Sequence, residues 1–124
     1  TKKAKNFINK ITENFEVKNE DVINKVTAIS GSGPAYFFLL ADSLMKASKN
    51  LGLVKNESRK LIEKTFLASA ILGKDLDYSE LLKKIASKGG TTEAALKIFK
   101  NKKFEIIVKD AVSSAYKKAK QLSK

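Results

Sequence analysis

The sequence predicts an all-α domain, and three observations carry that reading. Apolar residues recur at intervals of three and four along nearly the whole chain. Capping residues and glycines punctuate this pattern at short intervals. Only one short stretch, Phe15-Glu16-Val17, alternates with a strand's period. A chain of 124 residues with 43% hydrophobic and 31% charged residues has the size and composition of a globular domain that buries a core.

Taken in order, Ala4, Phe7, Ile8 and Ile11 give a helical face over residues 3–12, ahead of the possible strand. Asn19 is an N-cap candidate, and Glu20 and Asp21 fall in the first turn, where the helix dipole favours acids. That short helix should run to about Ile29. The segment Ser30-Gly31-Ser32-Gly33-Pro34 then reads as a glycine turn, with Ser32 or Gly33 as a cap and Pro34 in the next helix's first turn, where its missing N–H costs nothing.

The helix expected over 34–50 is apolar around its whole circumference from Ala35 through Ala41, and such a helix must be surrounded by protein. Beyond Asp42 the face narrows to Leu44, Met45, Ala47 and Leu51, and Gly52 ends it. Asn56 should cap a helix to about Leu72, with Leu61, Ile62, Phe66, Leu67, Ala70 and Ile71 on one face and Gly73 as the stop. Asp77-Tyr78-Ser79-Glu80 has the spacing of a capping box and opens a short helix carrying Leu81, Leu82 and Ile85. After Ser87-Lys88-Gly89-Gly90 a helix is expected over about 92–100. A last one bears the stripe Phe104, Ile107, Val108, Ala111, Ala115, Ala119 and Leu122. Connections are short, as helical bundles require.

Composition removes whole classes of chemistry. The chain has no cysteine and no histidine, so disulfides, thiol catalysis, the usual zinc sites and Ser-His-Asp arrangements are excluded, and no metal site is expected. No apolar run is long enough to cross a bilayer, and no signal peptide is visible at the start. A cytoplasmic protein without a membrane partner is expected. The first residue is Thr, so the chain is expected to be a fragment or a processed product. A net charge of +12 raises the question of nucleic acid. However, Arg59 is the one arginine, and the lysines are spread over every segment rather than gathered in a stripe. The basic balance reads as a solvated lysine surface. The group Tyr36-Phe37-Phe38 reads as core or subunit interface, since bases stack on exposed aromatics interleaved with basic residues.

Four of six glycines lie in two segments, each opening into a helix. At such a junction free N–H groups and the positive end of the dipole suit a carboxylate or phosphate. A phosphate-loop reading of the first segment lacks both a preceding strand and a lysine after its second glycine, so Gly31 and Gly33 are expected to serve close backbone approach. The second segment has two readings on its residues alone. Gly89, Gly90, Thr91, Thr92 and Ser87 can form an anion-binding nest flanked by hydroxyls. Equally, Gly-Gly-Thr can be a plain connection whose threonine caps the next helix.

Ser30-Gly31-Ser32-Gly33-Pro34-Ala35-Tyr36 and Ser87-Lys88-Gly89-Gly90-Thr91-Thr92 together resemble the C-terminal domain of pyrroline-5-carboxylate reductases. The resemblance runs from about Glu20 to the C-terminus. It implies an interleaved helical dimerisation domain of the pyrroline-5-carboxylate reductase type (6-phosphogluconate dehydrogenase C-terminal-like) over 19–124. Residues 1–18 would be the remnant, a helix and last strand, of a nucleotide-binding domain otherwise absent from this chain. It implies reduction of 1-pyrroline-5-carboxylate to L-proline, the last step of proline biosynthesis, with NADPH or NADH bound mainly by that absent domain. It also implies a homodimer, with a pentamer of dimers (a homodecamer) in many members.

By the same resemblance Ser87, Gly89, Gly90, Thr91 and Thr92 hold the substrate carboxylate. Thr92 is the catalytic candidate, facing the ring nitrogen, and Glu20 borders the pocket. The family's loop proline is replaced by Lys88, which removes stiffness and adds a positive charge. Asp75 follows the third helix where the family often carries an acid, and is assigned no role. The fragment alone is expected to be inactive and at least dimeric. A basic nucleic-acid-binding module and a purely structural oligomerisation domain are the alternatives.

Overall fold

The computed structural model describes residues 19–86 and 90–123. The predicted helix over 3–12, the strand Phe15-Glu16-Val17, and Ser87, Lys88 and Gly89 lie outside the described residues. Six α-helices and one π-helical turn follow in order: α1 (Glu20–Val26), the π-turn (Thr27–Gly31), α2 (Gly33–Asn50), α3 (Lys55–Leu72), α4 (Tyr78–Ala86), α5 (Gly90–Asn101) and α6 (Phe104–Leu122). There is no strand among the described residues. The all-α expectation holds.

The described residues divide into two compact units. One holds residues up to Leu39 together with those from Glu105 onward, and the other is Leu40–Phe104.

In the first unit Asn19 is extended, and its side-chain oxygen accepts from the Val22 N–H at 3.0 Å, which caps α1 as expected. Glu20 and Asp21 occupy the first turn and Lys25 the last, each at the end of the dipole that favours its charge. The helix does not continue to Ile29 in α form. From Thr27 the ladder widens, and the Ser32 N–H reaches back five residues to the Thr27 carbonyl at 2.9 Å. The Ala28 carbonyl accepts instead from the Tyr36 hydroxyl at 2.6 Å. Pro34, with no N–H to offer, contributes nothing to the ladder at this junction.

The expected glycine turn is therefore a helical junction, and among the described residues no other backbone segment approaches Gly31 or Gly33 closely. Neither has a positive φ. A Cβ on Gly33 would meet nothing within 4 Å, and one on Gly31 would only touch the Thr27 side chain at 3.5 Å. Ala28, 1% exposed, is the fully buried apolar residue described, with Asn24 and Gly33 buried around it.

At the far end of α2 the chain leaves by a Schellman closure. The Leu53 N–H bonds the Ser48 carbonyl at 3.1 Å and the Gly52 N–H bonds the Lys49 carbonyl at 2.9 Å. Gly52 sits at φ +85, which a Cβ would strain.

In the second unit α3 starts two residues earlier than expected. The extended Val54 is its N-cap and offers no side-chain bond, so Asn56 lies inside the first turn rather than capping it. Gly73 does end α3, but at φ −84, with the left-handed step falling on Asp75 at φ 60. The glycine matters for space: a Cβ there would sit 3.1 Å from both the Ser69 carbonyl oxygen and the Tyr78 ring. Asp77 caps α4 by accepting from the Glu80 N–H at 3.1 Å. α4 packs on α5. Lys103 turns the chain at φ 59, and the Phe104 ring meets the Phe99 ring edge-on at 5.2 Å.

The apolar faces of α2 and α3 are left open by the single chain: Phe38 is 68% exposed and Leu67 62%. Exposed side chains on this scale mark surfaces that associate.

Candidate functional site

The predicted substrate loop enters α5, and Gly90, Thr91 and Thr92 are its first three residues. The first N–H groups of any α-helix lack an acceptor within the helix, so these three lie at the positive end of the dipole without an intrahelical partner. Gly90 and Thr91 are exposed and Thr92 is half-buried. A Cβ added at Gly90 would meet nothing within 4 Å, so the space over this helix start is open. Glu93 completes the turn with a carboxylate. Such an end can accept an organic acid through amide hydrogens and threonine hydroxyls, in the manner of anion sites at helix N-termini.

Glu20 is the exposed first residue of α1 and belongs to the first unit, whereas Gly90, Thr91 and Thr92 belong to the second. A shallow hollow of about 530 Å³ runs along α4, lined by Leu76, Asp77, Glu80, Leu81, Lys83 and Lys84. None of the predicted site residues lines it. Among the described residues no group of three or more His, Cys, Asp or Glu could hold a metal ion, and no helix is long and apolar enough to cross a membrane.

Sequence reasoning missed the polar cluster of the first unit. The Tyr116 hydroxyl donates to Asp21 Oδ1, and Lys25 Nζ lies 3.0 Å from Asp21 Oδ2. Asn24 Nδ2 donates to Ser123 Oγ at 3.4 Å, and Lys120 Nζ stands 5.2 Å from the centre of the Tyr116 ring. The Tyr116 hydrogen bond, and then the Lys25 ammonium, hold the Asp21 carboxyl below its ordinary range. The same contacts with Asp21 raise Tyr116 and Lys25 above theirs. The available signal was the tyrosine interrupting the small-residue stripe of the last helix at Ala115 and Ala119.

Residues 20–122 match the family model described as pyrroline-5-carboxylate reductase dimerisation. A pyrroline-5-carboxylate reductase of Pseudomonas aeruginosa is 39% identical over 107 residues, covering 85% of this chain and 39% of that protein. One from Staphylococcus haemolyticus is 36% identical over 128 residues, covering 98% of this chain and 47% of its own. Among solved structures, a pyrroline-5-carboxylate reductase from Coxiella burnetii superposes with a TM-score of 0.80 at 38% identity, over 87% of this chain and 41% of that one. Plasmodium falciparum pyrroline carboxylate reductase, with NADP bound, also gives 0.80, at 34% identity over 89% and 42%. The chain thus spans less than half the length of the relatives it matches.

Proposed function

Because the chain belongs to the pyrroline-5-carboxylate reductase dimerisation family, we propose that it is the part of such a reductase that joins two subunits and holds the substrate's carboxylate. The whole protein then reduces the cyclic imine 1-pyrroline-5-carboxylate to L-proline in the cytoplasm. Residues 19–124 form the dimerisation and substrate-binding domain, and residues 1–18 belong to a nucleotide-binding domain.

NADPH or NADH would supply the hydride to the whole enzyme, but the residues of this chain do not fit that cofactor. The sequence has no G-x-G-x-x-G fingerprint, and no strand precedes α2 or α5 among the described residues. The work of this chain is binding and orientation. The N–H groups at Gly89, Gly90 and Thr91, with the Ser87 hydroxyl, hold the carboxylate. The hydroxyl of Thr92, the third residue of α5, donates to the ring nitrogen as that nitrogen gains basicity, and so favours the transition state over the bound imine. Glu20 borders the pocket. Two copies cover each other's open α2 faces, interleaved, and dimers assemble further into a decamer.

The observation that supports this most is the start of α5 at Gly90-Thr91-Thr92, where a helix N-terminus carries two threonines and a Cβ at Gly90 would meet nothing within 4 Å. In the full-length enzyme Thr92→Ala should lower kcat/KM by roughly 10²-fold, Thr92→Ser should restore most of it, and Ser87→Ala should act mainly on KM. Wild-type kinetics in the Thr92→Ala enzyme would overturn the assignment. The fragment alone should show no turnover.

A further inference from the structure

The first and last helices meet along a polar seam with matching periods. α1 supplies Asp21, Asn24 and Lys25, at spacings that share one helical face. α6 supplies Tyr116 and Lys120, and Ser123 follows just past its end; spaced four and three apart, they lie on one side of the helix. Asp21 and Tyr116 are 95 positions apart, and Asn24 and Ser123 are 99 apart, so these bonds join the two ends of the described chain. Both oxygens of Asp21 are engaged, one by the tyrosine and one by Lys25. Asn24 is buried while Ser123 is exposed, so the bond between them lies at the edge of the buried region.

Apolar faces can slide past one another by a turn, but a row of directional bonds allows one register only. We propose that Tyr116 is a positioning residue: through Asp21 it fixes the first turn of α1 on the terminal helix. That turn carries Glu20, immediately before Asp21, and receives the chain arriving from residue 18. The charged and titratable groups facing Asp21 are Lys25 on its own helix and Tyr116 and Lys120 on α6. All of them favour its ionised form, so the seam is set for neutral pH. The geometry stands without any assigned activity, and only the kinetic consequence rests on the reductase reading.

The test is a double-mutant cycle in the full-length protein with Tyr116→Phe, Asp21→Asn and both, and with Tyr78→Phe as the control. Tyr116→Phe keeps the ring and its contact with Lys120 while removing the donor. Hydrogen exchange of the amides from Asn24 to Gly31 should quicken roughly fivefold in each single variant. The double variant should be no faster than the faster single one, because the two groups share one bond. The control should match wild type. In an active enzyme the same variants should raise KM for the imine severalfold with a smaller change in kcat. Additive or absent exchange effects overturn the clasp, and coupled exchange with unchanged kinetics overturns the positioning role. An inactive wild type would count against the reductase reading alone, and the exchange cycle would still decide the clasp.

Discussion

The two units hold themselves together differently. In the first, side-chain hydrogen bonds connect helices nearly a hundred positions apart in sequence: Asp21 to Tyr116 and Asn24 to Ser123. In the second, the side-chain hydrogen bonds described are local. Thr65 bonds back to the Leu61 carbonyl, Ser69 to that of Thr65, and Asp77 caps three residues ahead. Meanwhile α3 leaves Leu61, Phe66, Leu67 and Ile71 exposed. Directional bonds set register within one chain where little core exists. A second unit with local bonds and open apolar faces draws its stability from whatever covers those faces.

The comparison can be broken most forcefully at Leu67. If a second copy covers α3, Leu67→Asp places a charge in an apolar contact and should weaken the dimer by about 3 kcal/mol. Light scattering over a concentration series would read this as dissociation. A dimer of unchanged strength would show the face is left in water. The next effect belongs to the first unit: Asn19→Ala removes the cap on α1 and should cost about 1 kcal/mol in thermal or denaturant unfolding.

Lys103→Gly should act in the opposite direction. It relieves a left-handed lysine at φ 59 in the second unit, and should stabilise by about 0.5–1 kcal/mol in the same measurement. Acid should have the smallest effect, since solvent screens the charges of the seam. The Asp21 carboxyl is depressed, so its support is full above the unfolded carboxylate value near 4 and fades as pH falls through its lower folded value. Tyr116 and Lys25 are raised, so their support is full below about pH 10 and fades as pH climbs past their folded values. Exchange of α1 amides, corrected for intrinsic rates, should quicken at the two extremes, while the second unit's response should not change when Asp21 is replaced by Asn.

Most helices were legible because their apolar spacing and caps are local properties. Asn19 and Asp77 cap as read, and α6 follows its stripe from Phe104 to Leu122. Errors arose where a neighbour decides the local outcome. Gly31 and Gly33 looked like a turn, yet the backbone stays helical there: the Ser32 N–H bonds the Thr27 carbonyl, and the Tyr36 hydroxyl bonds the Ala28 carbonyl. Asn56 looked like a cap, but extended Val54 already opens α3. Of the residues proposed for the site, the placement of Gly90, Thr91 and Thr92 at a helix start was readable from glycines and hydroxyls before a helical pattern. The Asp21–Tyr116 link was not, since no periodicity in one segment reveals a partner 95 residues away.

The widened turn at Thr27–Gly31 has a geometric consequence for everything beyond it. It stores one surplus residue, and each residue of an α-helix advances the azimuth by about 100° and the axis by about 1.5 Å. Deleting the exposed Ile29 would let the ladder revert to ordinary pitch and leave Phe37, Phe38 and Leu39 on nearly their present compass bearing, whereas winding the same residues as ordinary α-helix would swing them by about 100°. The widened turn thus works as an indexing notch, setting the direction in which α2 offers its aromatic side to a mate.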